Sequence, residues 1–285
     1  HANCTSLKVD KCYFKGTIVN STANSNCIGG VVGRINIESG MPEVTRCWSE
    51  GSIIVKAKNI GGVVGYALPV SVANCWSSMN IVSDNQAIGG IVGSPAKNNE
   101  SIVNCYFAGT VEGKCGVGGI VGGFSGSASE CSNSGDIVYT NAQQVTNQFY
   151  LGGVLGTTDA PIDACVSTGS IILGDKCATS SAATYIGGVV GYHTGSGVTV
   201  ANSIFTGNMT MASTIGPSNP YIGGIVGRSS VVVDNCQSYS DIKALGLSGK
   251  VGLILGHSRT DTIKATNCKI GGNLIFATDT GVDAS

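Results

Sequence analysis

One hexapeptide recurs along the whole chain, and this repetition constrains the fold more than any other feature. Its eight copies follow one another at intervals of 28 to 36 residues, and each reads Ile-Gly-Gly-Val-Val-Gly or a close variant. The copies are Ile28–Gly33, Ile60–Gly65, Ile88–Gly93, Val117–Gly122, Leu151–Gly156, Ile186–Gly191, Ile222–Gly227 and the degraded Val251–Gly256. A period of this length indicates one small structural unit that is stacked many times. A propeller is the weaker interpretation, because a four-stranded blade needs about 40 to 50 residues.

The residues between the hexapeptides predict short strands. They are rich in Val, Ile, Ser, Thr and Asn, which is typical of strands joined by polar turns. Each repeat offers two or three strands, too few to bury a hydrophobic face alone, so the repeats must share one core. We predict an all-β, single-stranded β-solenoid, similar to a β-helix, of about eight to nine stacked coils with undetermined handedness. We expect residues 1–285 to be one continuous repeat solenoid and a fragment of a longer surface protein.

The paired glycines have a structural explanation. A glycine lets the backbone bend sharply or approach a neighbouring coil closely, which a larger residue would prevent. The spacing also resembles a dinucleotide-binding loop, but no helical pattern follows any copy, so we discard a nucleotide site and expect no cofactor.

A second element, Asn-Cys-aromatic followed by Gly-x-Ile, lies between the hexapeptides. Eight cysteines occupy its equivalent position, and Ser203 takes that position in the repeat between those of Cys165 and Cys236. The eight are Cys12, Cys47, Cys75, Cys105, Cys131, Cys165, Cys236 and Cys268. In a solenoid they would form an internal ladder of small, buried, mostly free thiols, because side chains that point the same way have poor disulfide geometry.

Together the two elements resemble the GLUG repeat of secreted and surface-anchored, adhesin-like proteins. The resemblance covers nearly the whole chain, with Val or Ile where that family usually has Leu and with Leu253 in place of the second glycine of the last copy. It implies a solenoid architecture and an extracellular or cell-surface location. It brings no catalytic residues, and a shared fold does not fix a function.

Four further cysteines lie outside the ladder, at Cys4, Cys27, Cys115 and Cys177. We expect a bridge from Cys4 to Cys12 or to Cys27 if the compartment is oxidising. A metal site is not expected, since no CxxC motif or histidine cluster accompanies the cysteines.

An aromatic residue follows the ladder cysteine in each of the first four repeats. These residues are Tyr13, Trp48, Trp76 and Tyr106. Because successive side chains of a strand point to opposite faces, an inward cysteine places the next residue outward, so the four should form a stripe on one outer face. We predict that this stripe binds a glycan or a protein surface. The alternative is that the rings stack on each other or under a loop and only support the coil.

The remaining candidate residues are explained by solvation. Asp159 and Asp163 are the closest local acid pair, but they flank Pro161 in a predicted turn. His193 and His257 follow glycine hexapeptides and are predicted to be solvated edge residues, and His1 is isolated from both. Glycosylation sequons occur at Asn3, Asn20, Asn99 and Asn208.

Low charge narrows the possible functions. Charged residues make up 12% of the chain and the net charge is −1, so we expect no nucleic-acid partner. No apolar run approaches the ~20 residues of a membrane-spanning helix, so we expect no membrane insertion by this segment. Our first hypothesis is a non-enzymatic adhesin-like segment that binds a glycan or a host or neighbouring-cell protein. The alternatives are a β-helical polysaccharide-cleaving enzyme, and a structural spacer or filament subunit with end-to-end self-association.

Overall fold

The computed structural model of the chain is a parallel β-solenoid of about seven turns. It describes residues 6–21, 26–37, 40–95, 100–123, 126–139, 148–174, 183–211, 220–244, 249–260 and 264–276. These residues contain strands and turns without a helix, which confirms the predicted all-β solenoid. The number of eight to nine coils stays a prediction.

Each turn of the solenoid contributes to four parallel sheets, which we number 1 to 4 in chain order. Sheet 1 contains Lys8–Asp10, Glu43–Thr45, Ser71–Ala73, Glu100–Val103, Gly126–Ser129, Ile162–Asp163, Thr199–Ala201, Val232–Asp234 and Ala265–Thr266. Sheet 2 contains Tyr13–Asn20, Trp48–Val55, Trp76–Ser83, Tyr106–Phe107, Thr110–Glu112, Ser132–Asn133, Asp136–Tyr139, Val166–Ser167, Ile171–Leu173, Ile204–Phe205, Met209–Met211, Gln237–Tyr239, Ile242–Ala244, Lys269–Gly271 and Leu274–Ile275.

Sheets 3 and 4 are built from the glycine hexapeptides. Sheet 3 contains Asn26–Gly29, Lys58–Gly61, Gln86–Gly89, Cys115–Gly118, Phe149–Gly152, Thr184–Gly187, Tyr221–Gly223 and Lys250–Gly252. Sheet 4 contains Val32–Asn36, Val64–Leu68, Val92–Pro95, Val121–Gly123, Leu155–Thr158, Val190–His193, Val226–Ser229 and Leu255–Ser258. Each hexapeptide therefore ends one strand, turns at its second glycine and begins the next.

The Asn-Cys dipeptide forms the corner between sheets 1 and 2. The residue before the ladder position has a φ between 49° and 56° in each repeat, as at Asn74 and Asn104, and asparagine tolerates this left-handed conformation best after glycine. The thiol that follows donates to the carbonyl two residues earlier, at 3.4 Å from Cys75 Sγ to Ala73 O. Ser203 closes the same corner with its hydroxyl, 2.8 Å from Ala201 O. The position therefore selects a small donor.

The predicted ladder of free, buried thiols is confirmed in the middle of the solenoid. Its buried members are Cys47, Cys75, Cys105, Cys131, Cys165 and Cys236. The prediction is wrong for Cys12, which is exposed, and only partly right for Cys268, which is half-buried. Both lie in the outermost described coils, where a neighbouring coil covers one side only. Cys27 and Cys115 are half-buried free thiols, Cys12 is free as well, and Cys4 and Cys177 lie outside the described residues.

Burial should make the ladder thiols of Cys47 and Cys236 unreactive. Desolvation raises the pKa of Cys47 to about 11 and the pKa of Cys236 to about 12, and only the thiolate is nucleophilic. We expect iodoacetamide at pH 8 to label exposed Cys12 quickly in the folded protein and to leave Cys47 and Cys236 largely unmodified, as measured by peptide mass spectrometry. The same reaction in guanidinium chloride should label all three. Equal labelling of the three thiols in the folded protein would contradict burial of the ladder.

Sheets 3 and 4 pack back to back through backbone atoms. A Cβ atom built on Gly61 would lie 2.0 Å from Val64 O and 2.8 Å from Gly93 N, and one built on Gly65 would lie 2.6 Å from Ile28 N on sheet 3. Real Cβ atoms do not approach backbone this closely, so only glycine fits between the two sheets. The predicted close approach of backbone at the hexapeptide is therefore confirmed.

The second glycine of the hexapeptide makes room for the core of sheet 2. A Cβ on Gly90 would lie 2.3 Å from the ring of Phe107, and one on Gly62 would lie 2.2 Å from Ser77 Oγ. Phe107 and Ser77 are themselves fully buried. The turn of each hexapeptide therefore presses into the inner face of sheet 2, where Val and Ile side chains of all four sheets complete one continuous core.

Candidate functional site

The four residues of the predicted stripe lie in register on the outer face of sheet 2. Tyr13 is the parallel-sheet partner of Trp48, Trp48 of Trp76, and Trp76 of Tyr106. Tyr13 is 67% exposed, Trp76 39% and Tyr106 43%, and Trp48 is half-exposed between its neighbours. The alternation of faces therefore places the stripe, which we call the aromatic row, as the sequence predicts.

The first three rings of the aromatic row stack face to face. The Tyr13 and Trp48 ring centroids are 4.7 Å apart with an interplanar angle of 8°, and those of Trp48 and Trp76 are 5.0 Å apart at 2°. Stacking at this distance uses both faces of Trp48. The row therefore offers solvent the ring edges along its length and an open ring face at Tyr13. The ring of Tyr106 is fixed differently, by a 2.7 Å hydrogen bond between its hydroxyl and Ser134 Oγ.

A second apolar row runs parallel to the aromatic row. Val19, Ile54 and Val82 are paired across the strands and are exposed on the same face. They lie six residues further along each strand, which corresponds to about 20 Å. Together with polar neighbours at the strand ends they line a shallow, open groove whose floor is mostly apolar.

Polar side chains fill the space between the two rows. Lys15 and Glu50 form an ion pair with 3.1 Å between Nζ and an Oε atom, and the Thr17 and Ser52 hydroxyls are 3.2 Å apart. Both pairs are exposed, so their contribution to stability is small. The whole face, from the aromatic row across the polar strip to the aliphatic row, is one surface that we call the sheet 2 platform.

The platform is confined to one end of the solenoid because its strands are continuous only there. Tyr13–Asn20, Trp48–Val55 and Trp76–Ser83 each run for eight residues, whereas later repeats cross sheet 2 in two shorter strands. The strands are divided in two from Tyr106–Phe107 onward. At the division Gly109 lies against the preceding coil, since a Cβ atom built on Gly109 would lie 2.0 Å from Met79 O. Tyr13, Trp48 and Trp76 therefore begin continuous strands, whereas Tyr106 begins the first divided one.

The structure does not bring the other predicted candidates together into a site. Asp163 accepts a 2.6 Å hydrogen bond from Asn202 Nδ2, and Asp159 borders a separate open pocket. The prediction that His193 is solvated is wrong: its side chain is fully buried, with Nε2 2.9 Å from Ala160 O. Its Nδ1 accepts from the backbone, and desolvation lowers its pKa, so it fixes a turn.

The remaining candidates have simple positions. His257 is half-buried. Of the sequon residues, Asn20 ends the sheet 2 strand Tyr13–Asn20, and Asn208 directly precedes the sheet 2 strand Met209–Met211. Asn3, Asn99 and His1 lie outside the described residues. Within the described ranges, no three His, Cys, Asp or Glu side chains are placed to hold a metal ion. A helix able to cross a membrane is likewise absent from these ranges.

A second aromatic cluster was not predicted from the sequence. It contains Tyr150, Tyr185 and Tyr221, each of which directly precedes the hexapeptide of its repeat. Tyr185 is fully buried, yet its ring stacks on Tyr150 at 5.7 Å and on Tyr221 at 5.5 Å. The sequence has Tyr at this same position in three successive repeats, which could have indicated the cluster. The pattern becomes informative only when that position is known to face sheet 4.

In both clusters aromatic rings stack between coils, and in the second one Tyr150 and Tyr221 are half-exposed around the buried Tyr185. Such surfaces can hold a partner by non-covalent contact alone. No protein-family model, no curated protein and no solved structure matches this chain.

Proposed function

We propose that this chain is a non-catalytic, adhesin-like repeat segment at the cell surface or outside the cell, which binds a glycan or protein partner through the sheet 2 platform. We further propose that its eight hexapeptides mark eight to nine coils of a GLUG-type solenoid. The solenoid acts as a rigid support, and the residues that differ between coils provide the contacts.

The observation that carries this proposal is the exposure of the aromatic row. Tyr13, Trp48 and Trp76 stack on each other, as rings that only support the coil would also do, but they lie on an open face instead of under a loop. Exposed contiguous apolar surface on a soluble domain usually marks a contact site. The aliphatic row of Val19, Ile54 and Val82 extends that surface.

The stacking geometry favours a flat partner over an isolated sugar ring. A sugar ring needs the face of an aromatic side chain, and Trp48 has both faces covered by Tyr13 and Trp76. A protein surface can instead pack against the ring edges and the aliphatic row together. A glycan could still stack on the open face of Tyr13.

The proposal is tested with arrays of glycans and extracellular proteins probed by the wild-type chain and by Tyr13→Ala/Trp76→Ala. We expect the double variant to lose at least about tenfold in affinity for the partner, because aromatic residues at the centre of an interface contribute most of its binding free energy. Surface plasmon resonance on each hit measures the change.

The matched control is Tyr239→Ala, since Tyr239 is an exposed aromatic residue on the same sheet at the opposite end of the solenoid. Its variant should bind like the wild type. Circular dichroism would verify that all variants stay folded. Equal binding by the wild type and the double variant, or binding by neither, would overturn the platform as the contact site.

A further inference from the structure

Cationic side chains surround the second aromatic cluster, near the first residues of the sheet 3 strands and the last residues of the sheet 4 strands. Tyr185 and Tyr221 on sheet 3 face Tyr192, Arg228 and His257 on sheet 4. The Tyr185 and Tyr192 rings are 4.5 Å apart, and Tyr221 and His257 are 4.6 Å apart. We call this group the tyrosine cleft.

Arg228 lies at the centre of the tyrosine cleft. Its guanidinium carbon is 5.3 Å from the Tyr185 ring centroid, 5.8 Å from that of Tyr192 and 5.5 Å from that of Tyr221. Its Nη1 donates a 2.7 Å hydrogen bond to the Tyr185 hydroxyl. The rings thereby hold the guanidinium in one orientation while the side chain stays partly exposed.

Two further cations reach the same rings from solvent. Lys250 Nζ is 5.7 Å from the Tyr221 centroid, and the guanidinium carbon of Arg259 is 5.7 Å from the Tyr192 centroid. Both side chains are exposed. Because each shares a ring with Arg228, three positive charges converge on one small surface.

No acidic side chain neutralises these charges in the described part of the chain. The ion pairs there involve Lys8, Lys15 and Arg46, all in the first two repeats. The two carboxylates of residues 183–260 bond instead to the last coil: Asp234, on sheet 1, accepts from Thr266 Oγ1, and Asp241, between two strands of sheet 2, accepts from Asn273 N. Burial, together with the charges of Lys250 and Arg228, lowers the pKa of His257. Neighbouring positive charges have this effect because they disfavour the protonated imidazole.

The cleft also contains polar atoms that need a partner. Arg228 Nε and His257 Nδ1 are buried and have no hydrogen-bond partner among the described residues. Orphaned buried polar groups are uncommon in native proteins, and they favour an additional partner close by.

We propose that the tyrosine cleft is a second binding site, which takes an acidic sugar through its sulfate or carboxylate group. Arg228 and the two exposed cations contact the oxyanion, since guanidinium and ammonium groups form their strongest hydrogen bonds with such oxygens. The edges and hydroxyls of the half-exposed Tyr192 and Tyr221 contact the sugar ring that carries it, because tyrosine combines an apolar body with a polar end. The site is independent of the sheet 2 platform, which lies on another face.

Comparison between repeats separates this role from a purely structural one. The positions equivalent to Tyr185 hold Ala87 and Gly116 before the third and fourth hexapeptides, and the positions equivalent to Arg228 hold Ser94 and Gly123 after them. These two coils stack without rings or cations at these positions, so the fold does not require them there. In the first two coils Arg34 and Tyr66 occupy the position of Arg228, with the Arg34 guanidinium carbon 5.3 Å from the Tyr66 ring centroid. The cleft therefore belongs to the part of the sequence that varies between coils.

The test is isothermal titration calorimetry of the full chain with a heparin-derived tetrasaccharide, an oligogalacturonate tetrasaccharide, neutral cellotetraose and inorganic sulfate. We expect at least one acidic tetrasaccharide to bind at least about tenfold more tightly than cellotetraose and than sulfate. The variant Lys250→Gln/Arg259→Gln should weaken that binding by about tenfold or more, because hydrogen bonds to charged groups are the stronger class. Both side chains are exposed, so the variant should fold normally.

Lys243→Gln is the matched control, since Lys243 is an exposed lysine of the same region on sheet 2. It should leave binding of the acidic tetrasaccharide within about twofold of the wild type. Unchanged binding by the double variant, or equal binding of cellotetraose, would overturn the proposal, and equal binding of free sulfate would overturn its sugar component. Tyr13→Ala/Trp76→Ala should bind the acidic tetrasaccharide normally, so the platform and the cleft fail or succeed separately.

Discussion

Replacement of Gly118 by alanine is expected to destabilise the solenoid by about 3 kcal/mol or more. The added Cβ would lie 2.1 Å from Val121 O and 2.8 Å from both Gly156 N and Val154 O. All three contacts are backbone atoms, of sheet 4 at Val121 and Gly156 and of the turn that leads into sheet 4 at Val154, in the same coil and in the next. Neither coil can move away without breaking its own hydrogen bonds, so the sheets must separate locally.

Gly123→Ala is the matched control, because Gly123 lies in the same repeat, at the end of the sheet 4 strand Val121–Gly123. Its Cβ would contact only Ala87 Cβ and Ser94 Oγ, both at 4.0 Å. We expect this variant to be as stable as the wild type or slightly more stable, since alanine lowers the entropy of the unfolded chain. Thermal unfolding followed by circular dichroism compares the two variants. Equal midpoints for Gly118→Ala and Gly123→Ala would contradict the back-to-back packing of sheets 3 and 4.

The repeat made the solenoid predictable because it contains two patterns, the spacing of the hexapeptides and the alternation of side chains along a strand. The hexapeptide spacing required one unit per coil, and the period-2 alternation after each ladder cysteine placed Tyr13, Trp48 and Trp76 outward. Both predictions use local rules of strands, and both agree with the structure.

The contacts between sheets could not be predicted in the same way. The sequence indicated that glycine was needed for close approach, but it gave no means of knowing that sheet 3 faces sheet 4 across it. For the same reason His193 was expected in solvent and is buried, and Tyr185 was not connected with Arg228, 43 residues away. These pairs depend on which coil faces meet, which a repeat period does not specify.

The arrangement of the candidate sites follows from the division between constant and variable positions. Constant positions, such as the ladder thiols and the glycines, are buried and fix the stacking of coils. Variable positions point outward, and a property repeated over three or four coils becomes a row or cluster at strand spacing. The aromatic row and the tyrosine cleft are two such clusters on different faces and at different ends.

Replacement of Phe107 by alanine should cost about 3 to 5 kcal/mol of stability, the usual range for a buried aromatic residue. Its side chain is fully buried, and its ring fills the space left free by Gly90 and Gly135, whose Cβ atoms would lie 2.3 Å and 2.8 Å from it. Glycines cannot extend a side chain into the resulting cavity. The backbone of Gly90 is also held by the next coil, since its Cβ would meet Gly119 O at 2.1 Å, so the site cannot collapse.

Tyr106→Ala provides the control, because Tyr106 precedes Phe107 on the same strand and points outward. Its removal should cost under about 1 kcal/mol, since it loses an exposed hydrogen bond and little packing. Because each coil of a repeat protein depends mainly on its neighbours, hydrogen exchange followed by mass spectrometry should show the loss of protection in Phe107→Ala concentrated in the third to fifth repeats. Uniform loss along the chain would mean that the solenoid unfolds as one unit, and unchanged protection would mean that the turn at Gly90 does not rest on this ring.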